Sequence, residues 1–365
     1  MTPPRGLGPV LPAFDGVRRI AVLRGGGIGD LLFAVPALHA LRAAYPAARI
    51  TLLGTPLHAA LLRDRPGPVA EVVTLPPHPE NRPDPTPEFL ARACPEPIDL
   101  GVQLHGGGAW SNPFVLALRP RYAVGPRTPD AAALTRELPF RYHQHEVLRA
   151  LEVAGLAGAP PVLLQPEIAV TDADRAAADA VLGTPDGPVL AIHPGATDPR
   201  RCWPAERFAE VAVRFRAGGA TVVLLGAESE RALLTGIERA IGPGPRLRTL
   251  VGQPFRTVVG VLARSAVLLG NDSGLRHLAQ AVGTPTVGIY WMVNVINAGP
   301  LGRYTDRILI SFATRCPVCG ADCTDETLPR CPHDDSLVAG IGVDAVRAEV
   351  ESLLTMSRHS SGCAR

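Results

Sequence analysis

Apolar and polar positions follow two regimes along most of the chain: short unbroken apolar runs, and longer stretches with apolar residues three or four apart. The run Arg19-Ile20-Ala21-Val22-Leu23 predicts a buried strand. A glycine turn, Gly25-Gly26-Gly27-Ile28-Gly29, leads into a helix from about Asp30 to Ala44, with Leu31, Val35, Leu38 and Leu41 on its apolar face and Pro46 just beyond its end. Further strands are expected near 49–53, 69–74, 98–104 and 121–124, with helices around 56–63, 110–118 and 143–154 between them. Residues 76–97 hold eight prolines, which predicts a long surface loop with a short helix. A second alternation begins after Pro166. It places helices at 172–182, 204–218, 228–240, 255–264 and 274–282, and strands at 189–193, 221–225, 247–251, 266–269 and 286–290. A last helix, 343–355, carries Val346, Val350, Leu353 and Leu354 on one face. Two runs of strand–helix alternation imply two doubly wound α/β sheets, whose ligands bind in the loops beyond the carboxyl ends of the strands.

Composition narrows the function. Apolar residues make up 46% and charged residues 19%, enough for packed cores. The formal net charge of +2 argues against a dedicated nucleic-acid binder. Every basic side chain other than histidine is arginine, so phosphate binding or Schiff-base chemistry through lysine is excluded. The first 17 residues offer no uninterrupted apolar stretch of the secretory type, and no 18 consecutive apolar residues occur anywhere. The expectation is a cytoplasmic chain without a transmembrane segment, with peripheral contact at the inner membrane face left open. Seven cysteines, an odd number, do not suggest a disulfide scaffold.

Five motifs carry candidate chemistry, most of them at strand-to-helix junctions. In Arg24-Gly25-Gly26-Gly27-Ile28-Gly29-Asp30 the glycine spacing resembles a dinucleotide fingerprint, but its third glycine position is Asp30, which opposes a pyrophosphate. Asp30 is then either a helix cap or a general base kept ionised by the helix N-terminus. In His193-Pro194-Gly195-Ala196-Thr197, followed by Arg200-Arg201-Cys202-Trp203-Pro204, amides, a hydroxyl and guanidinium groups suit a diphosphate; the alternative is an ordinary polar loop. The stretch Asn271-Asp272-Ser273-Gly274-Leu275-Arg276-His277 is a capped helix start. There, Asp272 can hold sugar hydroxyls, the amides of Ser273, Gly274 and Leu275 can receive phosphate oxygens, and His277 can add a donor. In Leu225-Gly226-Ala227-Glu228 the acid either binds ribose hydroxyls or only favours the helix dipole. Finally, Cys316-x2-Cys319-x3-Cys323-x7-Cys331, with His333 close behind, can form a tetrahedral zinc site; reduced structural cysteines or a local disulfide are the alternatives.

Four of these pieces, in this order, resemble family 9 glycosyltransferases, the heptosyltransferases of the lipopolysaccharide inner core. They are Arg24 to Asp30 followed by Pro36-Ala37-Leu38-His39-Ala40-Leu41-Arg42, His193 to Ala196 with Arg201-x-Trp203-Pro204, Leu225 to Glu228, and Asn271 to Gly274 with His277-Leu278-Ala279. The resemblance spans roughly 18–355. It implies a GT-B fold with two Rossmann-like domains facing a cleft: an acceptor-binding domain at 1–170 and a nucleotide-sugar domain at 171–342 that includes the cysteine cluster. The helix and tail at 343–365 would cross back to the first domain. It implies inverting, metal-independent transfer, typically of heptose from ADP-heptose, to a lipid-linked or core oligosaccharide acceptor. It implies no cofactor; the structural zinc at the cysteines rests on their spacing alone. By motif position Asp30 is the base; Thr197 and Arg201 contact phosphates, Glu228 the ribose and Asp272 the sugar; Ser273, Gly274, Leu275 and His277 line the diphosphate; and Arg24, Gly27 and Gly29 form the acceptor-side loop. Two departures stand out: Arg201 occupies a position usually held by lysine, and three glycines with Ile28 form the entry loop. The rivals are another GT-B enzyme, whether a different nucleotide-sugar transferase or an epimerase, and an inactive nucleotide-sugar-binding protein.

Overall fold

A computed structural model describes residues 7–77, 83–302, 304–325 and 328–362, with side chains given up to residue 356. The chain divides into two compact units, Met1–Ala169 and Val170–Arg365. The first contains six strands, β1 (Arg19–Leu23), β2 (Arg49–Gly54), β3 (Glu71–Thr74), β4 (Leu100–Gln103), β5 (Tyr122–Arg127) and β6 (Arg136–Pro139). Helices α1 (Ile28–Ala44), α2 (Pro56–Leu62), α3 (Pro87–Ala93), α4 (Ser111–Ala117) and α5 (Glu146–Leu156) connect or follow them. The sheet order is β3-β2-β1-β4-β5-β6, and all its pairings are parallel.

The second unit opens with α6 (Asp172–Leu182) and continues β7 (Val189–His193), α7 (Ala205–Ala217), β8 (Thr221–Gly226), α8 (Arg231–Ile241), β9 (Leu247–Val251), α9 (Phe255–Arg264), β10 (Val267–Asn271), α10 (Gly274–Ala281), β11 (Thr286–Trp291), α11 (Met292–Ala298), β12 (Asp306–Ser311) and α12 (Val343–Gly362). Its order is β12-β11-β10-β7-β8-β9, again all parallel. Numbered within their own unit, both sheets have the order 3-2-1-4-5-6 of the dinucleotide-binding fold. The order reverses between β1 and β4 in one unit and between β7 and β10 in the other. The loops leaving these central strands therefore lie at topological switch points, where such sheets bind ligands.

The central strands are continuous apolar runs because helices cover both faces of a parallel sheet. Ile20, Val22 and Leu23 are all but inaccessible, as are Leu190, Ile192 and Leu268. Two edge strands, β6 and β12, and the short helix α11 go beyond the elements that the apolar pattern predicts. Residues 136–139 and 306–311 are mostly half-buried or exposed. An edge strand packs against one neighbour only and keeps polar residues that dilute the apolar signal.

Helix α12 forms where its apolar spacing requires. Val346, Val350, Leu353 and Leu354, expected on an element crossing back to the first domain, belong to the second unit's own core, together with Trp203, Phe208 and Trp291. Four apolar side chains at helical spacing cover one stripe, and the second unit's core takes up that stripe.

Candidate functional site

In the first unit the loop after β1 is built around Arg24, which is buried. Its Nε donates to the Asp30 carbonyl at 2.8 Å and its Nη2 to Asp30 Oδ1 at 2.7 Å. Nη2 also reaches Glu146 Oε2 at 3.3 Å, and Nη1 donates to the Leu104 carbonyl. Asp30 is not the cap residue itself. Gly27 caps α1, and Asp30 sits in the first turn, where its Oδ2 accepts the Gly27 amide at 2.9 Å. Gly26 turns the chain at φ +88°, and a Cβ there would meet the Asp30 carboxylate. The Asp30 side chain nevertheless stays 44% exposed. It is therefore a positioned carboxylate with an open edge, so the capping and the general-base roles are compatible.

Two histidines flank this loop as neutral rings. His58 Nδ1 accepts the Thr55 amide at 3.2 Å, which leaves Nε2 to donate to the Gly27 carbonyl at 2.9 Å. Burial pushes the His58 ring below its ordinary value. His105, on the loop after β4, accepts the Gly25 amide at 3.2 Å, and burial with the Arg24 charge lowers it too. Gly29 is half-buried in the first turn of α1.

In the second unit three loops are tied together by buried Asn271, the last residue of β10. Its Nδ2 donates to the Pro194 carbonyl at 2.6 Å and its Oδ1 accepts the Trp203 amide at 3.0 Å. The switch-point loops are thereby locked to one another. Of the two adjacent arginines, Arg200 is bound by Asp198, with Nη2 to Oδ2 at 2.7 Å. Arg201 instead points to Asp272, with Nη1 to Oδ2 at 3.1 Å, and its Nε is buried without a protein partner. A buried guanidinium N–H without an acceptor is costly. Ser273 caps α10, its side chain accepting the Arg276 amide at 3.4 Å. Ser273, Gly274 and Leu275 are half-buried, and Thr197 is exposed on the neighbouring loop.

Asp272 is buried and both its oxygens are engaged, Oδ2 by Arg201 and Oδ1 by His277 Nε2 at 3.1 Å. The tautomer follows from Arg276, whose Nη2 lies 3.1 Å from His277 Nδ1. A guanidinium only donates, so Nδ1 accepts and Nε2 carries the proton given to Asp272. Burial opposes the Asp272 charge, but the His277 hydrogen bond and the Arg201 and Arg276 charges outweigh it and hold the carboxyl below its ordinary value. Arg276 is fully buried, stacks over Tyr290 at 5.0 Å and donates to Thr286 Oγ1 at 3.1 Å.

The sequence offers Glu228 as the acid of the loop after β8. Its side chain is 68% exposed and paired with Arg231. Glu230, two residues on, is the acid at the switch point. Its Oε2 accepts the Ala227 amide at 2.7 Å and lies 3.3 Å from His193 Nε2, while His193 Nδ1 lies 3.0 Å from Ser273 Oγ. Burial raises the Glu230 carboxyl, but His193 and the Ala227 amide more than compensate and leave it below its usual value. The signal for it in the sequence is Gly195: a Cβ there would overlap Glu230 Oε1. The glycine makes room for the carboxylate.

The cysteine cluster differs from its expected composition at one position. Sulfur atoms of Cys316, Cys319 and Cys331 and a ring nitrogen of His333 all lie within 4.8 Å of one another. Cys323 is not in this group; its thiol points to the Ala321 carbonyl at 3.6 Å, and the residue packs against the apolar core. The six cysteines among the described residues are free thiols; Cys363 lies outside the described residues.

A sequence model of glycosyltransferase family 9 (heptosyltransferase) matches residues 116–319, more than half of the chain. The chain belongs to glycosyltransferase family 9. The matched family 9 segment takes in Thr197 to Trp203, Glu230 and Asp272 to His277, whereas the Arg24–Asp30 loop precedes it. Lipopolysaccharide heptosyltransferase 2 of Salmonella typhimurium is 29% identical over 137 residues, 36% of this chain and 39% of the relative. The match thus spans about two fifths of the length of that curated relative. Among solved structures, Escherichia coli ADP-heptose lipopolysaccharide heptosyltransferase II superposes with a TM-score of 0.74 at 21% identity, covering 93% of this chain and 99% of that one. A family 9 glycosyltransferase from Veillonella parvula gives 0.75 at 19%, covering 94% and 99%. These likenesses establish the fold, the two-domain GT-B architecture of the family.

Proposed function

We propose that the chain is an inverting glycosyltransferase that transfers a sugar from a nucleotide diphosphate, most simply heptose from ADP-heptose, to a lipopolysaccharide core or related surface-glycan acceptor. The observation that carries this is the buried, unpartnered Nε of Arg201 beside the N-terminus of α10. The names of the relatives, heptosyltransferases one of which is described by ADP-heptose, supply the donor.

The chemistry divides by unit. In the second, Arg201 and the amides of Ser273, Gly274 and Leu275 receive the diphosphate and meet the charge that grows on it as the glycosidic bond breaks. Thr197 adds a hydroxyl from its exposed loop. Glu230, rather than the exposed Glu228, takes the ribose hydroxyls, with Oε1 against Gly195 and Oε2 fixed by His193 and the Ala227 amide. Asp272 and His277 act as positioning residues: their hydrogen bonds are spent on Arg201, on Arg276 and on each other, and so they aim the guanidinium. In the first unit Asp30, on the loop of Arg24, Gly27 and Gly29, accepts the proton of the acceptor hydroxyl as that oxygen attacks the anomeric carbon.

Among the described residues no helix is long and apolar enough to cross a membrane. We place the reaction in the cytoplasm, with peripheral contact at the inner membrane face where lipid-linked acceptors are presented. The test is a titration with ADP, UDP, GDP and ADP-heptose read by thermal shift, followed by mass analysis of acceptor products. ADP-heptose at 100 times its Kd should stabilise the protein by about 2.7 kcal/mol, and the acceptor should gain one heptose. A shift with UDP alone would remove the donor assignment, and donor binding without any product would remove the transferase.

Gly195→Ala sharpens the Glu230 assignment. The new methyl group displaces the flexible end of the Glu230 side chain, so nucleotide affinity should fall about tenfold, or roughly 1.4 kcal/mol. Stability should fall by about 1–3 kcal/mol, since the displaced carboxylate gives up its hydrogen bonds to His193 and the Ala227 amide. Isothermal titration with ADP checks the first value and urea unfolding the second. Unchanged ADP affinity would separate Glu230 from the nucleotide.

A further inference from the structure

We infer that Cys316, Cys319, Cys331 and His333 form a structural zinc site that ties the hairpin 314–323 to residues 331–337. Three sulfurs and a ring nitrogen within 4.8 Å of one another approach a tetrahedral set, in which zinc–sulfur bonds of about 2.3 Å put sulfurs about 3.8 Å apart. The backbone is shaped for it. Residues 314–323 form a tight hairpin, closed by the Arg315–Asp322 bridge, by the Cys316 amide on the Ala321 carbonyl at 2.8 Å and by the Cys323 amide on the Thr314 carbonyl at 2.8 Å. Gly320 takes φ +72° and returns its amide to the Cys316 carbonyl at 2.9 Å.

A second, independent observation points to an occupant: His333 Nδ1 is buried without any hydrogen-bond partner. One ring nitrogen of His333 lies within 4.8 Å of three sulfurs and its Nδ1 lacks a partner, and a metal bound by the ring accounts for both. The chemistry favours zinc, because three soft sulfurs and one imidazole in tetrahedral array match its closed structural sites.

The consequence for the rest of the unit lies in what the segment touches. Past the cluster, the Leu337 amide donates to the Arg200 carbonyl at 2.8 Å, Arg330 pairs with Asp198 at 3.5 Å, and the Ser311 hydroxyl donates to the Leu337 carbonyl at 2.5 Å. The metal thus braces the loop that carries Arg201. This second consequence rests on the donor assignment above; the metal site itself does not.

The test uses the full chain purified without chelator. Elemental analysis by plasma mass spectrometry should find ~1 zinc per chain, and exchange with cobalt chloride should give the visible absorption of a tetrahedral cobalt–thiolate centre. Cys319→Ser and His333→Ala should each weaken zinc retention against a competing chelator at least about tenfold, whereas Cys323→Ser should retain it. The inference is overturned if the wild-type chain carries no stoichiometric metal and takes up none from zinc chloride. It is equally overturned if the metal found is iron, or if Cys323→Ser loses zinc while His333→Ala keeps it. Because the cobalt spectrum is read on the wild-type chain, a variant that fails to fold does not decide the matter.

Discussion

Asp30→Asn will lower kcat by about 10²–10⁴-fold, the usual contribution of a general base, while leaving the fold intact. The two roles of this carboxylate separate in that variant. An asparagine oxygen still accepts the Gly27 amide that Asp30 Oδ2 holds at 2.9 Å, so the cap on α1 survives, but the amide nitrogen then faces Arg24 Nη2 in place of Oδ1, and stability should fall by about 1–2 kcal/mol. The amide group cannot take a proton from an acceptor hydroxyl. Arg24 keeps its hydrogen bonds to the Leu104 carbonyl and to Glu146, and the loop should hold its shape. Asp30→Ala removes both functions and should add roughly 1 kcal/mol of destabilisation to the same kinetic loss. Steady-state kinetics with saturating donor, beside urea unfolding, distinguishes the cases. If turnover in Asp30→Asn stays within a few-fold of the parent, the carboxylate is a cap and nothing more.

The second large effect is on stability. Asp272→Asn should cost the protein about 3–5 kcal/mol, the penalty for removing one partner of a buried ion pair. The carboxylate faces Arg201 and His277, with fully buried Arg276 behind them. An amide presents a donor where two donors already converge, so at least one buried N–H loses its acceptor. Against a usual stability of about 5–15 kcal/mol, this is a large share. The pH dependence has a definite sign. The folded carboxyl titrates below its ordinary value of about 3.9. Its contribution is therefore complete above about pH 4 and fades as the pH falls through the lower folded value. Parent and variant should differ most at neutral pH and converge in acid. Equilibrium urea unfolding at pH 7 and in acid checks this; a difference under about 1 kcal/mol at neutral pH would mean that the Asp272 pairings contribute little.

Nearly all of the architecture was legible in the apolar pattern. Strands buried on both faces must be apolar throughout, and their flanking helices must carry a stripe; the two regimes alternate twice, and so do the units. The elements left unseen, β6, β12 and α11, are edges or a helix of about two turns, where burial on one side is too slight to mark the sequence. The switch-point loops also announced themselves, because close backbone approach and helix starts demand glycine, serine and aspartate at fixed places. The choice within each loop was not legible. Arg200 and Arg201 are adjacent and chemically identical, as are Glu228 and Glu230 in all but position. Only the fold shows that Asp198 claims Arg200, that Arg231 claims Glu228, and that Arg201 and Glu230 remain at the switch point.

What the sequence determined by itself was therefore the class of fold, the loops that carry function and the family to which they belong. Periodicity and turn chemistry are local and survive in one dimension. What the tertiary structure decided was partnership: Asp272 as the anchor of Arg201 and His277, Glu230 brought against Gly195, and His333 in place of Cys323 beside three sulfurs. Hydrogen bonds and metal ligation depend on distances of a few ångströms between residues far apart along the chain, such as His193 and Ser273, 80 positions from each other, and chain spacing does not encode those distances.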